Sequence, residues 1–525
     1  MHVAIVGAGI GGLAAAVRLA SSGVAVTVVE AAGQPGGKLR ETEIAGRMVD
    51  VGPTVFTLRD VFDDVFACAG ERLDDHLTLH RCETIARHVF ADGAVLDLFA
   101  DAERSQAAIT ALSGERSAGE YESFCARAKS VCETLSPIFM RAERPSGPLG
   151  LVARAGPKGL PAIMRIGAET TLWKSLSAQF SDPRLAQLFG RYATYNGSSP
   201  FLAPATLMLI AHVEKSGVWL VEGGMMRLAE SLAGLAERSG ASLRYGVPVA
   251  SIAVRGGAVG GVTLAGGETI AADVVLANCD AGALAAGLLG KAVQTAVDPP
   301  LEREDRSLSA LTVALEAPTD GMELLRHNVF FSADYAREFD EILTRRRLPS
   351  DPTVYVCASD RDDCGRLSSE SARRGRERLF LIINAPADGD ETDFGKEEVE
   401  RCVTAAFSRL RASGLRVEGP DFRQIRLSTP SDFARRFPAT GGALYGRASH
   451  GSTASFRRPG ARTKLAGLYL CGGSAHPGAG LPMAALSGKI AAEAILADRA
   501  STSRSRREAM PGGMWTRFRQ MVGML

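Results

Sequence analysis

Gly7, Gly9 and Gly12 follow directly on the apolar run Val3 to Val6, and Glu30 stands eighteen residues beyond Gly12. In a G-x-G-x-x-G turn the first glycine permits the tight bend. The second lets backbone N–H groups approach a pyrophosphate at a helix N-terminus, and the third lets helix and strand pack closely. A carboxylate ending the next strand can accept hydrogen bonds from a ribose diol. The stretches between fit that chemistry. Leu13 to Ala20 is apolar at helical spacing, Ser21-Ser22-Gly23 is a turn, and a second apolar run ends in Glu30. The order strand, turn, helix, strand, acid predicts a dinucleotide site and leaves NAD and FAD both open.

Two further Gly-rich stretches bear on that ligand. Gly36-Gly37-Lys38 and Gly52-Pro53 offer additional close backbone approach just after the ribose acid. Near the other end, Gly467 to Leu470 leads through Gly472-Gly473 and Gly480-Leu481-Pro482-Met483 into a helix predicted over 483–498. Pro482 suits a first helical turn, where its missing N–H costs nothing. That helix end offers free N–H groups and a positive dipole, able to stabilise negative charge gathering on a reduced ring. Two such turns at opposite chain ends, with Glu30 between, point to one extended cofactor bridging them.

Composition narrows the class. The 525 residues suggest two to four domains, and 46% apolar with 23% charged residues is ordinary for a globular protein. A net charge of +1 gives no global field for nucleic acid, which is not expected as a partner. Nine scattered cysteines, an odd number with no C-x-x-C, and no secretory leader point to a reducing cytoplasm. No window of eighteen uninterrupted apolar residues occurs, so no transmembrane helix is expected.

Along the chain, Val55 to Ala69 reads as a helix and 77–99 as antiparallel strands. His76 and His80, about 13 Å apart at roughly 3.3 Å per strand residue, are too distant for one metal ion, and none is expected. Residues 101–215 read as mainly helical. Within them 144–168 carries Arg144, Arg154, Lys158 and Arg165, no acid, and many apolar, Pro and Gly residues. It suits either an interfacial segment on anionic lipid or an irregular surface loop. Leu228, Leu232 and Leu235 define one face of a helix after Gly223-Gly224, and short strands follow through Ala277. Residues 305–435 alternate again. Their acidic run Asp388, Asp390, Glu391 and Asp393 reads as a solvated loop and helix start. The basic tail 501–525 reads as either a membrane-surface helix or a frayed end.

The expected fold is α/β: a Rossmann-like, discontinuous dinucleotide domain (1–66, 217–290 and 436–500), a mixed-sheet substrate domain (67–100 and 291–435), a helical, membrane-facing insert (101–216) and the tail.

Glu30 followed by Gly36-Gly37-Lys38 resembles the amine oxidase and carotenoid desaturase superfamily, a resemblance that implies FAD. Asp50-Val51-Gly52-Pro53-Thr54, Tyr195 to Pro200 and His476 to Pro482 are similar to the bacterial phytoene desaturase family over nearly the whole chain. Leu73 to His80 and Gly217 to Met225 resemble its hydroxyneurosporene (methoxyneurosporene) dehydrogenase branch, which places a 3,4 double bond in 1-hydroxy or 1-methoxy carotenoids. The resemblance implies cofactor contacts at the glycines and acid already named and at Val249. It also implies a long apolar carotenoid substrate, an inner-membrane surface as peripheral partner, and oxygen or a quinone as electron acceptor. Asp50, Glu222, Tyr195 and His450 are polar groups near these motifs, and none is assigned as a catalytic base. Phytoene desaturation, another flavoenzyme activity of the superfamily, and a prenyl-protein binder of GDP-dissociation-inhibitor type are the alternatives. The last has no use for Glu30 or Lys38.

Overall fold

The computed structural model describes residues 1–418 and 425–508. The chain opens with β1 (His2–Val6), α1 (Ile10–Ser21) and β2 (Ala25–Val29). After a hairpin and a short helix come β3 (Thr84–Val89) and β4 (Val95–Phe99), then the helices of the insert. The first of these, α2 (Ala102–Leu135), starts where the Asp101 side chain accepts the Arg104 N–H at 2.8 Å. Next is α3 (Pro148–Arg165), with proline in its first turn. Helix α4 (Met226–Arg238) leads to β5 (Ser242–Arg244) and β6 (Val274–Ala277). Strands β7 (Ser309–Ala317), β8 (His327–Phe330), β9 (Val354–Ala358), β10 (Glu377–Ala385) and β11 (Arg426–Ser428) follow. The chain then returns through β12 (Leu468–Leu470) to α5 (Leu481–Glu508).

Two sheets organise these elements. One is five-stranded and wholly parallel, in the order β12-β6-β1-β2-β5, so strands from three distant stretches of chain pair side by side. The other has seven strands, β11-β7-β10-β9-β8-β3-β4, antiparallel except where β3 runs parallel to β8. Leu228, Leu232 and Leu235 of α4 are fully buried in a common core with Leu13 and Val17 of α1. Each such side chain contributes about 1.5–3 kcal/mol by leaving water. The insert packs on one face of the seven-stranded sheet through Phe124, Phe180 and Phe189, whose ring centroids lie 4.5–5.3 Å apart.

Several local expectations change. The first helix after Pro53 spans only Arg59–Ala67, because the Phe56 carbonyl accepts the Trp219 N–H at 3.0 Å and Leu58 takes a left-handed φ of 48°. Leu79–Arg81 leaves the predicted sheet and pairs with Trp219–Val221. Asp388 is fully buried, gripped by Arg303 at 2.9 Å and by Arg346, and Asp390 pairs with Arg306 at 2.8 Å. Asp390, Glu391 and Asp393 stay exposed ahead of the helix Lys396–Ala412, as expected, so only Asp388 departs from the solvated run, neutralised by arginines remote in sequence. The stretch 144–168 is neither a loop nor a single regular helix. Within α3, Gly156 departs from helical geometry at φ 64°, Pro157 and Pro161 follow, and Leu151 alone is buried. Of the tail, the backbone of α5 is described to Glu508 and the remainder lies outside the described residues, as does the first half of a strand that the alternation predicts over 422–427.

Candidate active site

The two Gly-rich turns meet. A Cβ on Gly11 would stand 3.0 Å from the Gly472 Cα and 2.9 Å from the Ala484 carbonyl, and one on Gly488 would collide with the Gly11 carbonyl at 2.1 Å. Helices α1 and α5 therefore cross at glycine contacts beside their first turns. Neither an acid nor a side-chain cap closes the start of α1, which leaves first-turn N–H groups free for an anion. Glu30 sits at the end of β2, its carboxylate accepting the Ala8 N–H at 2.7 Å and the Ala32 N–H at 2.8 Å. Each oxygen keeps a lone pair for a diol.

Gly36 and Gly37 take positive φ, and a Cβ on Gly37 would lie 3.2 Å from the Gly9 Cα. Gly52 packs on the Lys38–Leu39 backbone, with Pro53 next to it. Val249 opens a strand reached from Glu30 by the bond from Val247 N–H to the Glu30 carbonyl, 2.9 Å. At the other turn, Cβ atoms on Gly473 and Gly480 would meet nothing within 4 Å, so this backbone borders open space. Leu481, Pro482 and Met483 form the first turn of α5. Gly7, Gly9, Gly12, Gly36, Gly37, Gly52 and Gly472 thus line one connected seam, and Gly473 and Gly480 continue the turn that follows Gly472. Lys38 turns its ammonium to the Leu444 carbonyl and over the Phe437 ring at 5.2 Å, and burial lowers its pKa.

Sequence reasoning missed two members of this seam. Asn278, just past β6, donates from Nδ2 to the Gly7 carbonyl at 3.1 Å and stands against Gly9, Gly11, Gly12 and Gly472. Its position beyond the carboxyl end of a parallel strand was an available signal. Arg458, 1% exposed, donates to the carbonyls of Tyr445, Arg447 and Gly473 and to Asn196 Oδ1, at 2.7–3.2 Å. Burial lowers its pKa to about 10.

The four polar candidates separate. Asp50 accepts the Met225 N–H at 3.0 Å at the start of α4, and burial raises its pKa. Glu222 is exposed and pairs with His80 at 3.1 Å. His450 accepts the Ser199 N–H through Nε2, and burial lowers its pKa to about 4. Tyr195 alone belongs to an interior polar group. The Arg191 guanidinium lies 3.5 Å from its hydroxyl and over the rings of Tyr195 and Tyr355 at 5.3 and 5.4 Å. The Tyr355 hydroxyl is 2.7 Å from both Thr54 Oγ1 and His327 Nδ1. His76 pairs with Glu71 at 2.5 Å. Among the described residues, the one grouping with metal-ligand spacing is Asp362, Asp363 and Cys364, which includes neither His76 nor His80.

This geometry suits a dinucleotide, and comparison with known proteins defines the class. The pattern described as "Flavin containing amine oxidoreductase" matches residues 10–496, and the chain belongs to that family. It is a flavin-dependent oxidoreductase, and a dinucleotide seam in such an enzyme takes FAD. Hydroxyneurosporene desaturase of Rubrivivax gelatinosus is 50% identical over 531 residues, covering 100% of this chain and 98% of that protein. The protein of the same name from Cereibacter sphaeroides is 46% identical, with 96% and 99% covered. An oxidoreductase structure from Methanosarcina mazei, 16% identical with a TM-score of 0.59 over 94% of this chain and 100% of that one, shares the fold.

Proposed function

We propose that this chain is an FAD-dependent desaturase of carotenoid biosynthesis that introduces a C-3,4 double bond into 1-hydroxy or 1-methoxy carotenoids such as 1-hydroxyneurosporene. The observation that carries the reading is the convergence of the two Gly-rich turns at Gly11 and Gly472, in a chain whose full-length relatives bear the hydroxyneurosporene desaturase name. The FAD-binding part is assigned to 1–66, 217–290 and 436–500, the substrate part to 67–100 and 291–435.

Glu30 would hold the ribose, with Val249 on the nucleoside side. Gly7, Gly9 and Gly12 with the free end of α1 would hold the pyrophosphate, flanked by Gly36, Gly37, Lys38, Gly52 and Pro53. Gly472, Gly473 and Gly480 to Met483 would face the ring. Bound there, FAD supplies a two-electron acceptor for hydrogen leaving adjacent carbons. The protein's own contribution is to hold an unactivated chain in register and to exclude water. Asp50 and His450 are occupied by backbone N–H groups and Glu222 faces solvent, so none of them is assigned as a base.

Helix α3 is the proposed membrane contact. Leu149 is 86% and Met164 78% exposed, Leu160 shares a face with Met164 at i, i+4 spacing, and Arg154, Lys158 and Arg165 flank them without an acid. A lipid-dissolved substrate would enter from that side. No helix among the described residues is long and apolar enough to cross a membrane. Electrons leave to oxygen or to a membrane quinone, which anaerobic reoxidation by a soluble quinone distinguishes.

The test is anaerobic mixing of the holoenzyme with neurosporene, its 1-hydroxy derivative and phytoene. Preferential flavin bleaching by the 1-hydroxy compound is expected, and bleaching by phytoene alone overturns the branch assignment. Absence of a flavin spectrum after reconstitution with FAD overturns the enzyme reading itself.

A further inference from the structure

The interior polar group around Arg191 is unexplained by the cofactor seam. His327 is 3% exposed, yet its Nε2 has no hydrogen-bond partner, and the hydroxyl of Tyr335, 5% exposed, is likewise unpartnered. Arg326 and then Arg191 act on His327, and Glu338 and then Arg191 act on Tyr335, so the Arg191 guanidinium is the charge common to both. A buried polar atom left unpaired costs about 1–3 kcal/mol, and native proteins carry few of them. Apolar side chains adjoin this polar group: Phe331 meets the Tyr335 ring edge-on at 6.3 Å, and Val329, two residues from His327, shares a core cluster with Phe331, Val55 and Ile382. Such an environment fits a hydrocarbon chain and would strand the polar atoms unless the ligand brings its own oxygen.

We propose that His327, positioned by Tyr355 and Thr54 beside Arg191, is the hydrogen-bond partner of the substrate's C-1 oxygen and sets the preference for hydroxylated over hydrocarbon carotenoids. This rests on the function proposed above and deepens it. The imidazole is neutral, because burial lowers its pKa to about 3. A neutral ring has one donor and one acceptor nitrogen. With Nδ1 engaged by the Tyr355 hydroxyl at 2.7 Å, Nε2 carries the complementary role toward the ligand. A hydroxyl donates and accepts, so it satisfies Nε2 in either tautomer.

Position supports the assignment as well. C-1 lies two carbons from C-3, so whatever holds its oxygen must adjoin the place where hydrogen leaves. Thr54 is the second residue after Gly52 of the cofactor seam. Tyr195 precedes Asn196, whose Oδ1 accepts from the same Arg458 that binds the Gly473 carbonyl. The polar group is thus tied to both ends of the seam. A site built to bond a hydroxyl rejects the analogue lacking it, because its own groups are then left bare.

The test compares an acyclic carotenoid bearing a C-1 tertiary hydroxyl with its hydrocarbon counterpart, on FAD-loaded protein. Two readouts are taken: the ratio of kcat/KM values for flavin reduction, and the ratio of equilibrium affinities measured with the dehydrogenated hydroxylated product and its hydrocarbon counterpart. His327→Leu is expected to narrow both ratios roughly tenfold, the worth of one net hydrogen bond. His327→Gln, whose amide reaches the Nε2 position, should restore most of the selectivity. If His327→Leu does not load FAD, Tyr355→Phe, which removes the hydroxyl that orients the ring, carries the test with the same expected direction. Unchanged ratios in a well-loaded variant overturn the proposal. Failure of the unsubstituted enzyme to prefer the hydroxylated carotenoid is a different result and overturns the function it rests on.

Discussion

Replacing Gly12 by alanine sets two opposite effects against each other. Gly12 lies in the first turn of α1, where alanine is intrinsically better than glycine by about 1 kcal/mol. The new Cβ, however, would stand 2.3 Å from the Gly7 carbonyl oxygen and 2.8 Å from Asn278 Nδ2. Neither neighbour is a flexible end free to swing away: one is backbone and the other donates to that same carbonyl at 3.1 Å. Overpacking of this kind costs about 1–3 kcal/mol, and losing the Asn278 bond adds about 1 kcal/mol. Crowding therefore wins, with a net loss of about 1–3 kcal/mol and a Tm lower by about 1–3 °C, at roughly 1 °C per kcal/mol in a protein of 525 residues. Because the displaced carbonyl lines the seam, flavin content should fall as well. Gly119→Ala in α2 is the matched control, since its Cβ would meet nothing within 4 Å and its effect should be neutral or slightly stabilising. Thermal melts and the flavin-to-protein absorbance ratio read both variants. Gly12→Ala with unchanged Tm and full flavin would refute the close approach of helix and strand at this glycine.

Other outcomes follow from single groups. Arg458→Ala should cost about 3 kcal/mol and reduce FAD retention, since four part-buried acceptors lose their donor; melts and flavin content check it. Burial raises Glu338 from 4.5 to about 7 although its Oε2 accepts from Ser332 and Thr353 at 2.7 and 2.6 Å. The folded state then binds this proton more tightly than the unfolded state. Its contribution, about 3 kcal/mol, is complete below the unfolded value and lost as pH rises through about 7. The Tm advantage of the unsubstituted protein over Glu338→Gln should accordingly shrink between about pH 5 and about pH 8, and a constant difference would refute it. Leu149→Asp with Met164→Asp should weaken co-sedimentation with anionic liposomes and leave Tm within a degree or two, because both side chains are exposed.

What could be read from the chain was local. Strand, Gly-rich turn and helix at 2–21 and at 468–498 follow from neighbouring residues alone, although the last helix runs on to Glu508, and Glu30 falls at the end of its strand as spacing required. The hidden parts depend on contacts between remote segments. Nothing near Arg458 or His327 forms a motif; their meaning comes from Asn196, Gly473 and Tyr355, brought in by other elements. Asp388 alone of its acidic run is buried, and its arginines sit at 303 and 346, far off in sequence. In α3 the break at Gly156 resets the helical phase, so no single period shows, although Leu160 and Met164 do share a face in the second half.

The most direct measurement is an anaerobic single turnover of the FAD-loaded enzyme with 1-hydroxyneurosporene, followed by counting reduced flavin and locating the new bond in the product. One flavin reduced per double bond formed at C-3,4, with no oxygen added to the carotenoid, is the expected result. An oxygenated product, a double bond elsewhere, or a flavin that stays oxidised would contradict the account.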